Sequence, residues 1–300
     1  MEKRRVGSLE VSVVGLGCNN FGRRLDVEAT GKVVHAAIDA GITFFDTADI
    51  YGTGLSEQYL GETLGEKRKQ IVLATKFGME FDKDRKGAKP AYIKQAVEDS
   101  LKRLKTDVID LYQLHHPDEA TPIGDTLGAL NDLVQEGKVR EIGCSNFSAA
   151  QLKEAKEAAK GARFVSVQNE YSLLEREPEK EVLAECEKEG IAFIPYFPLY
   201  SGLLSGKYRK GQTLPSGTRI ESGSRWLEGG SLDKVEKLVA YSESKGHTIL
   251  ELAFGYLLAH KPVVSVIAGA TKAEQIASNV VAVGWKLTQE ELNEVRGLLG

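Results

Sequence analysis

Residues 90–116, PAYIKQAVEDSLKRLKTDVIDLYQLHH, hold one unit of the pattern that decides the fold. Behind Pro90, residues Ile93, Val97, Leu101 and Leu104 recur at helical spacing. That predicts a helix with proline at its first position, where the missing N–H has no partner to lose. Val108–His115 then forms a short run rich in apolar and aromatic residues, which reads as a buried strand.

The same unit repeats outward in both directions. Val11–Gly17, Ile42–Ala48, Ile71–Phe77, Glu141–Ser145, Phe164–Gln168, Ile191–Leu199 and Val263–Ala268 bring the strand-like runs to eight. Most are continuously apolar, as parallel strands covered on both faces are. After Thr121-Pro122, a second helical stripe runs through Ile123, Leu127, Leu130 and Val134, again with proline expected at the first helical position. Ser148-x-x-Gln151, Thr248-x-x-Glu251, Thr271-x-x-Glu274 and Thr288-x-x-Glu291 match capping boxes and predict helix starts. Alternating strands and helices with no linker-like break predict an α/β fold, a (β/α)8 TIM barrel as a single domain over residues 1–300. A Gly-rich, basic stretch at about 200–231 is expected to be its one long loop. An open dinucleotide-binding sheet would need GxGxxG after the first strand, but in Gly15-Leu16-Gly17-Cys18-Asn19-Asn20-Phe21-Gly22 the third glycine comes two positions late.

Composition narrows the function. The chain has 300 residues, 42% of them hydrophobic and 27% charged, with a net charge of −4. There is no basic field for a nucleic-acid backbone and no apolar stretch of membrane-span length, so neither partner is expected. A cytoplasmic protein acting on a small molecule is the expectation. Cys18, Cys144 and Cys186 show no CxxC spacing and no neighbouring histidine pattern, which supports neither a disulfide framework nor a metal site.

Barrels of this kind place their chemistry at the C-terminal ends of the strands. Four reactive side chains gather there: Asp46 ends the second run, Tyr51 follows it, Lys76 ends the third and His115 ends the fourth. A phenol with a pKa near 10 is a weak acid, but an ammonium beside it favours the phenolate. Lys76 can supply that charge, Asp46 can neutralise and orient Lys76, and His115 can orient a carbonyl oxygen. Each residue alone also fits a packing or capping role. Four at successive strand ends are harder to explain that way, because a buried unmatched charge is costly.

The motifs Asp46-Thr-Ala-x-x-Tyr51-Gly52, Ala74-Thr75-Lys76 and Asp110-Leu-Tyr-Gln-Leu-His115 resemble the tetrad motifs of the aldo-keto reductase family, and the similarity runs along essentially the whole chain. The resemblance implies reduction of an aldehyde or ketone by NADP(H), with Tyr51 as proton donor, Lys76 and Asp46 tuning it and His115 positioning the carbonyl. It implies that Ser145, Asn146 and Gln168 hold the carboxamide and that Tyr196 stacks on the nicotinamide, with Leu199 and Lys207 further along the cofactor. Lys207 and the long loop are expected to fold over the pyrophosphate. Gly269, Thr271, Lys272, Gln275 and Asn279 are assigned to the adenosine end. There Gly269 and Gln275 stand where relatives often carry Lys and Arg; Lys272 is the expected substitute, and NAD(H) stays open. Asn20, Phe21, Met79, Phe81, His116 and Trp226 are the expected pocket walls, and a monomer is the family expectation. Two other readings remain: a nucleotide-sensing regulatory subunit with little turnover, and a barrel that uses Lys76 as a Schiff base.

Overall fold

The computed structural model describes residues 1–215, 219–220 and 224–300. An antiparallel hairpin, β1 (Lys3–Val6) and β2 (Leu9–Ser12), precedes the barrel. The barrel strands are β3 (Val14–Gly17), β4 (Phe44–Asp46), β5 (Val72–Phe77), β6 (Ile109–Leu114), β7 (Val139–Ser145), β8 (Phe164–Glu170), β9 (Ala192–Tyr196) and β10 (Val266–Gly269). They pair in parallel in the order β10-β3-β4-β5-β6-β7-β8-β9. A single parallel bridge from Phe193 to Val263 links β9 to the residues before β10, so the barrel is nearly closed.

The helices between the strands are α1 (Val27–Asp39), α2 (Leu55–Leu64), α3 (Pro90–Leu104), α4 (Ile123–Gln135), α5 (Ala149–Ala158) and α6 (Val182–Glu189). Two helices, α7 (Ser231–Ser244) and α8 (Ile249–Leu258), follow β9, and two more, α9 (Ala273–Val281) and α10 (Gln289–Leu299), follow β10. Among the described residues no helix is long and apolar enough to cross a membrane.

Several expectations need correction. The run Val11–Gly17 is not one strand: Val11 belongs to the hairpin and the barrel strand starts at Val14, with Ser12 Oγ donating to the Val14 carbonyl at the break. Pro90 opens α3 as its first residue, whereas Pro122 stands one position earlier, as the cap of α4. Capping boxes form at Ser148, Thr248 and Thr288. None forms at Thr271. The cap of α9 is Lys272, with no side-chain bond, and the N–H and hydroxyl of Thr271 donate instead to Gln275 Oε1. Gln275 is long enough to reach back one turn, which Glu274 does not do here. The long loop contains two short 3₁₀ turns, Tyr200–Ser205 and Arg225–Leu227; residues 216–218 and 221–223 of it lie outside the described residues.

The barrel interior explains where the reactive side chains fall. Phe44, Val72, Ala74, Leu111, Ala192, Ile194, Val264 and Ile267 fill it, and Val6, Leu9 and Val11 of the hairpin pack against the same cluster. Side chains alternate across a strand, so two residues further along, the inward face of each strand carries Asp46, Lys76, Gln113 and Tyr196. Apolar layers thus sit below a polar layer. The opposite faces of the strands, including Leu73, Tyr112 and Val167, pack under the helices.

Candidate active site

The polar layer is held by register. Lys76 pairs with Gln113, Gln113 with Gly143, and Ser145 with Gln168, all at the C-terminal ends of β5 to β8. Gly143 makes the layer possible, since a Cβ there would strike the Ser166 hydroxyl and come within 3.2 Å of Gln113 Cγ.

Asp46 is the hub. Its Oδ2 accepts from Lys76 Nζ at 2.5 Å, and its Oδ1 accepts from Gln113 Nε2 at 3.1 Å and Gln168 Nε2 at 2.9 Å. Lys76 also donates to the Thr47 carbonyl at 2.9 Å. Both ions are buried, Lys76 fully so, and the matched hydrogen bonds are what make such a pair tolerable. Burial works to lower the lysine's pKa, but Asp46 and Tyr51 raise it above the ordinary value, so Lys76 is charged.

Tyr51 hangs over this pair. Lys76 Nζ lies 5.2 Å from the centre of its ring, and the ring meets His115 edge-on with centres 5.9 Å apart. Burial raises the phenol's pKa, and Lys76 opposes that rise without cancelling it. The net direction is therefore the reverse of what an ammonium neighbour alone would produce. His115 is neutral: burial first, then Lys76 and His116, hold its pKa down to about 2. Its Nδ1 is buried without a hydrogen-bond partner.

Beyond the tetrad, Ser145 Oγ donates to the Gln168 carbonyl at 2.6 Å, Asn146 Nδ2 to the His115 carbonyl at 2.9 Å, and Tyr196 OH to Asn146 Oδ1 at 2.8 Å. Asn146 sits in the left-handed region at φ 62°, a conformation Asn tolerates better than most residues, and this aims its amide across the strand ends. These groups open onto one cleft of about 630 Å³, which runs from Tyr51 and His115 past Ser145, Asn146, Gln168 and Tyr196 to Thr271, Gln275 and Asn279. Its length and mixed lining suit an extended ligand with a ring at one end.

Comparison with known proteins places the chain in a family. The sequence pattern of the aldo/keto reductase family matches residues 13–299. This chain belongs to the aldo/keto reductase family. It is 36% identical to Uncharacterized oxidoreductase YrpG of Bacillus subtilis (strain 168), over 95% of this chain and 91% of the relative. Among solved structures it resembles aldo-keto reductase AKR11C1 from Bacillus halodurans, holo form, at TM-score 0.83 and 36% identity, covering 99% of this chain and 96% of that one. It also resembles glycerol dehydrogenase AKR11B4 from Gluconobacter oxydans at TM-score 0.86 and 32% identity, covering 99% and 94%. The protein is an NAD(P)H-dependent oxidoreductase of this family, with the (β/α)8 barrel of its members.

The fold brings most of the sequence-derived site residues to this cleft, including Leu199, Lys207 and Gly269. Lys272 is an exception: as the exposed cap of α9 it is not part of the lining, where Thr271, Gln275, Ser278 and Asn279 stand instead. Of the expected pocket walls, Asn20, Met79 and His116 line the cleft. Phe21 does not, because it is fully buried in the core. Phe81 lies against Arg85 and Arg103, with the Arg85 guanidinium 4.2 Å from its ring centre. Trp226 backs the wall rather than forming it, packing edge-on against Phe197 and Tyr200 with centres 5.5 and 4.7 Å away. Gln113 was not singled out by the sequence reading, although it lies inside the quoted His115 motif. Period-two counting from Leu111 would have placed it on the inward face. Arg23, Arg24 and Arg219 also line the cleft and carried no recognisable motif.

Proposed function

We propose that the protein reduces an aldehyde or ketone to the alcohol, with Tyr51 giving the proton. The observation that carries this reading is the meeting of the Tyr51 phenol and the neutral His115 imidazole above the buried Lys76–Asp46 pair. The cleft suits a nicotinamide dinucleotide: amide and hydroxyl groups gather at the tetrad end, and Asp46 is the only carboxylate among the described lining residues, so a diphosphate meets no repulsion. When bound, the reduced nicotinamide supplies a hydride to the carbonyl carbon. The chain's own part is proton delivery and orientation. Tyr51 donates its hydroxyl proton to the carbonyl oxygen as that oxygen gains charge, and Lys76 stabilises the phenolate left behind. His115, unable to become a cation, donates one N–H to the same oxygen and fixes its position.

NADP(H) is the favoured cofactor. The family resemblance carries this preference, and the described residues at the far end, Thr271, Gln275, Ser278 and Asn279, set no carboxylate against a 2′-phosphate. A Schiff-base role for Lys76 is disfavoured because a nucleophilic amine must be neutral, whereas Lys76 is held charged by Asp46. The test is oxidation of NADPH, followed by its near-ultraviolet absorbance, with a panel of aldehydes and ketones. Tight nucleotide binding without turnover of any of them would favour the regulatory reading instead.

A further inference from the structure

The loop between β5 and α3, residues 78–89, borders the tetrad end of the cleft and is bonded mainly to itself. The Phe81 N–H donates to the Arg85 carbonyl at 2.9 Å, the Arg85 N–H and Nε donate to the Asp82 carboxylate at 2.9 and 2.7 Å, and Lys86 Nζ donates to Glu80 at 3.0 Å. Among the described residues, no hydrogen bond or ion pair of residues 79–86 leaves the segment. Its one ring contact outward is between Phe81 and Arg103 of α3, 5.7 Å apart. A segment built this way can turn as one body about its ends.

Both ends are glycines at positive φ. Gly78 stands at +107° and Gly87 at +78°, and the Gly87 N–H donates to the Gly78 carbonyl at 2.9 Å, which closes a narrow neck. The neck rests on the strand end that carries His115: a Cβ on Gly78 would strike Leu114 Cδ1 at 2.8 Å and lie 3.9 Å from the His115 nitrogen. Met79 comes next in the chain, and it lines the cleft together with Tyr51, His115 and His116. What holds the neck in place is Asp118, on the loop that follows His115. Its Oδ2 accepts from the Ala88 N–H and from Thr121 Oγ1, both at 2.7 Å, and its Oδ1 accepts from the Ala120 N–H at 3.0 Å. Gly87 must lack a side chain for this, since a Cβ there would stand 2.8 Å from Oδ2. Bonds from N–H groups to a carboxylate are among the stronger hydrogen bonds a protein makes.

We propose that Asp118 is a positioning residue for the carbonyl substrate: it latches the neck of residues 79–86 to the His115 loop, fixes Met79 at the tetrad end, and so sets how bulky a carbonyl compound the cleft admits. This rests on the carbonyl-reductase reading above and adds the control of substrate size. Asp118 does not line the cleft, so it acts through Met79 and not on the substrate itself. Releasing the latch lets Met79 swing aside, which takes a wall away from small substrates and makes room for large ones.

Benzaldehyde and 2-naphthaldehyde, alike in chemistry and different in bulk, test this with NADPH saturating. Asp118→Ala should raise KM for benzaldehyde more than for 2-naphthaldehyde and narrow the ratio of their kcat/KM values about tenfold from wild type, the scale of one charge-assisted hydrogen bond. Asp118→Asn, which keeps an amide oxygen for the Ala88 N–H, should restore most of the wild-type ratio. The Kd for NADPH, measured by fluorescence titration, should not change in either variant. Limited trypsin digestion of the whole chain reads the latch without activity: cutting at Lys83, Arg85 and Lys86 should speed up in Asp118→Ala while cutting elsewhere does not. A ratio that stays at its wild-type value overturns the proposal, as does a weakened Kd for NADPH or trypsin cutting that speeds up along the whole chain. Turnover of no carbonyl by the wild-type protein would remove the reductase reading itself, and this inference with it; turnover with an unchanged ratio removes only the inference.

Discussion

At the scale of single residues, the site works by opposing forces on protons. Burial makes the Tyr51 phenol a weaker acid than in water, and Lys76 is the group that resists this. Lys76→Met should then raise the phenol's pKa further and move the alkaline limb of the pH–kcat profile upward by about one to three pH units, the usual effect of a neighbouring charge. An unmoved limb would make Lys76 a structural partner of Asp46 only. Tyr51→Phe should lower turnover about a hundredfold or more, as loss of a general acid does, while the Kd for the nucleotide stays near wild type. Cofactor choice is also decided residue by residue. Because Lys272 lies outside the cleft and Gln275 inside it, Lys272→Ala should leave the NADPH-to-NADH ratio of kcat/KM unchanged. Gln275→Arg should raise that ratio by about tenfold or more, as one charge-assisted bond to a 2′-phosphate would. It would also remove the Gln275 bonds to Thr271, so its thermal stability is measured alongside.

At the scale of elements, the turn from β4 to α2 carries a second buried acid cluster behind the tetrad. Glu57, fully buried on α2, accepts from Thr75 Oγ1 at 2.5 Å and from Arg103 Nε of α3 at 2.7 Å. Asp49 lies close by with one carboxylate oxygen unpartnered, and its N–H donates to the Lys76 carbonyl at 3.1 Å. Burial, and then the Glu57 charge, raise the pKa of Asp49 to about 7. Between about pH 4 and pH 7 the folded chain holds that proton while the unfolded chain releases it, so stability falls as pH rises through this window. The loss at pH 8 amounts to roughly 4 kcal/mol, three pKa units at about 1.4 kcal/mol each. Asp49→Asn, which keeps the shape and removes the charge, should be more stable than wild type at pH 8 and similar to it near pH 4, as urea unfolding at the two pH values would show. Equal stability at pH 8 would mean that the carboxylate is solvated when charged.

At the scale of the whole molecule, the barrel is stoppered at one end and reactive at the other. Leu9 of the hairpin is buried in the apolar interior, beneath the layer that holds Asp46 and Lys76. Leu9→Ala should cost about 2–5 kcal/mol, the range for a buried leucine, and lower the urea midpoint with kcat/KM preserved. The chain's own order of residues determined a great deal of this. Helical stripes such as Ile93-Val97-Leu101-Leu104 and apolar runs such as Val108–His115 report burial locally, so the repeating strand–helix architecture and the four candidate catalytic residues at or just past strand ends could be picked out directly. The hairpin could not: Val11–Gly17 reads as one run interrupted only by Ser12, and only the break at Ser12–Val13 assigns its start to the stopper. Nor could the bonds that tie Gln113 and Gln168 to Asp46, the exclusion of Phe21, Phe81 and Lys272 from the cleft, or the gathering of Arg23, Arg24 and Arg219. Residue type sets what a side chain can do, but which way it faces follows from strand register and from the packing of one turn on another. Those depend on contacts between residues as distant as Asn20 and Arg219, which no local pattern encodes.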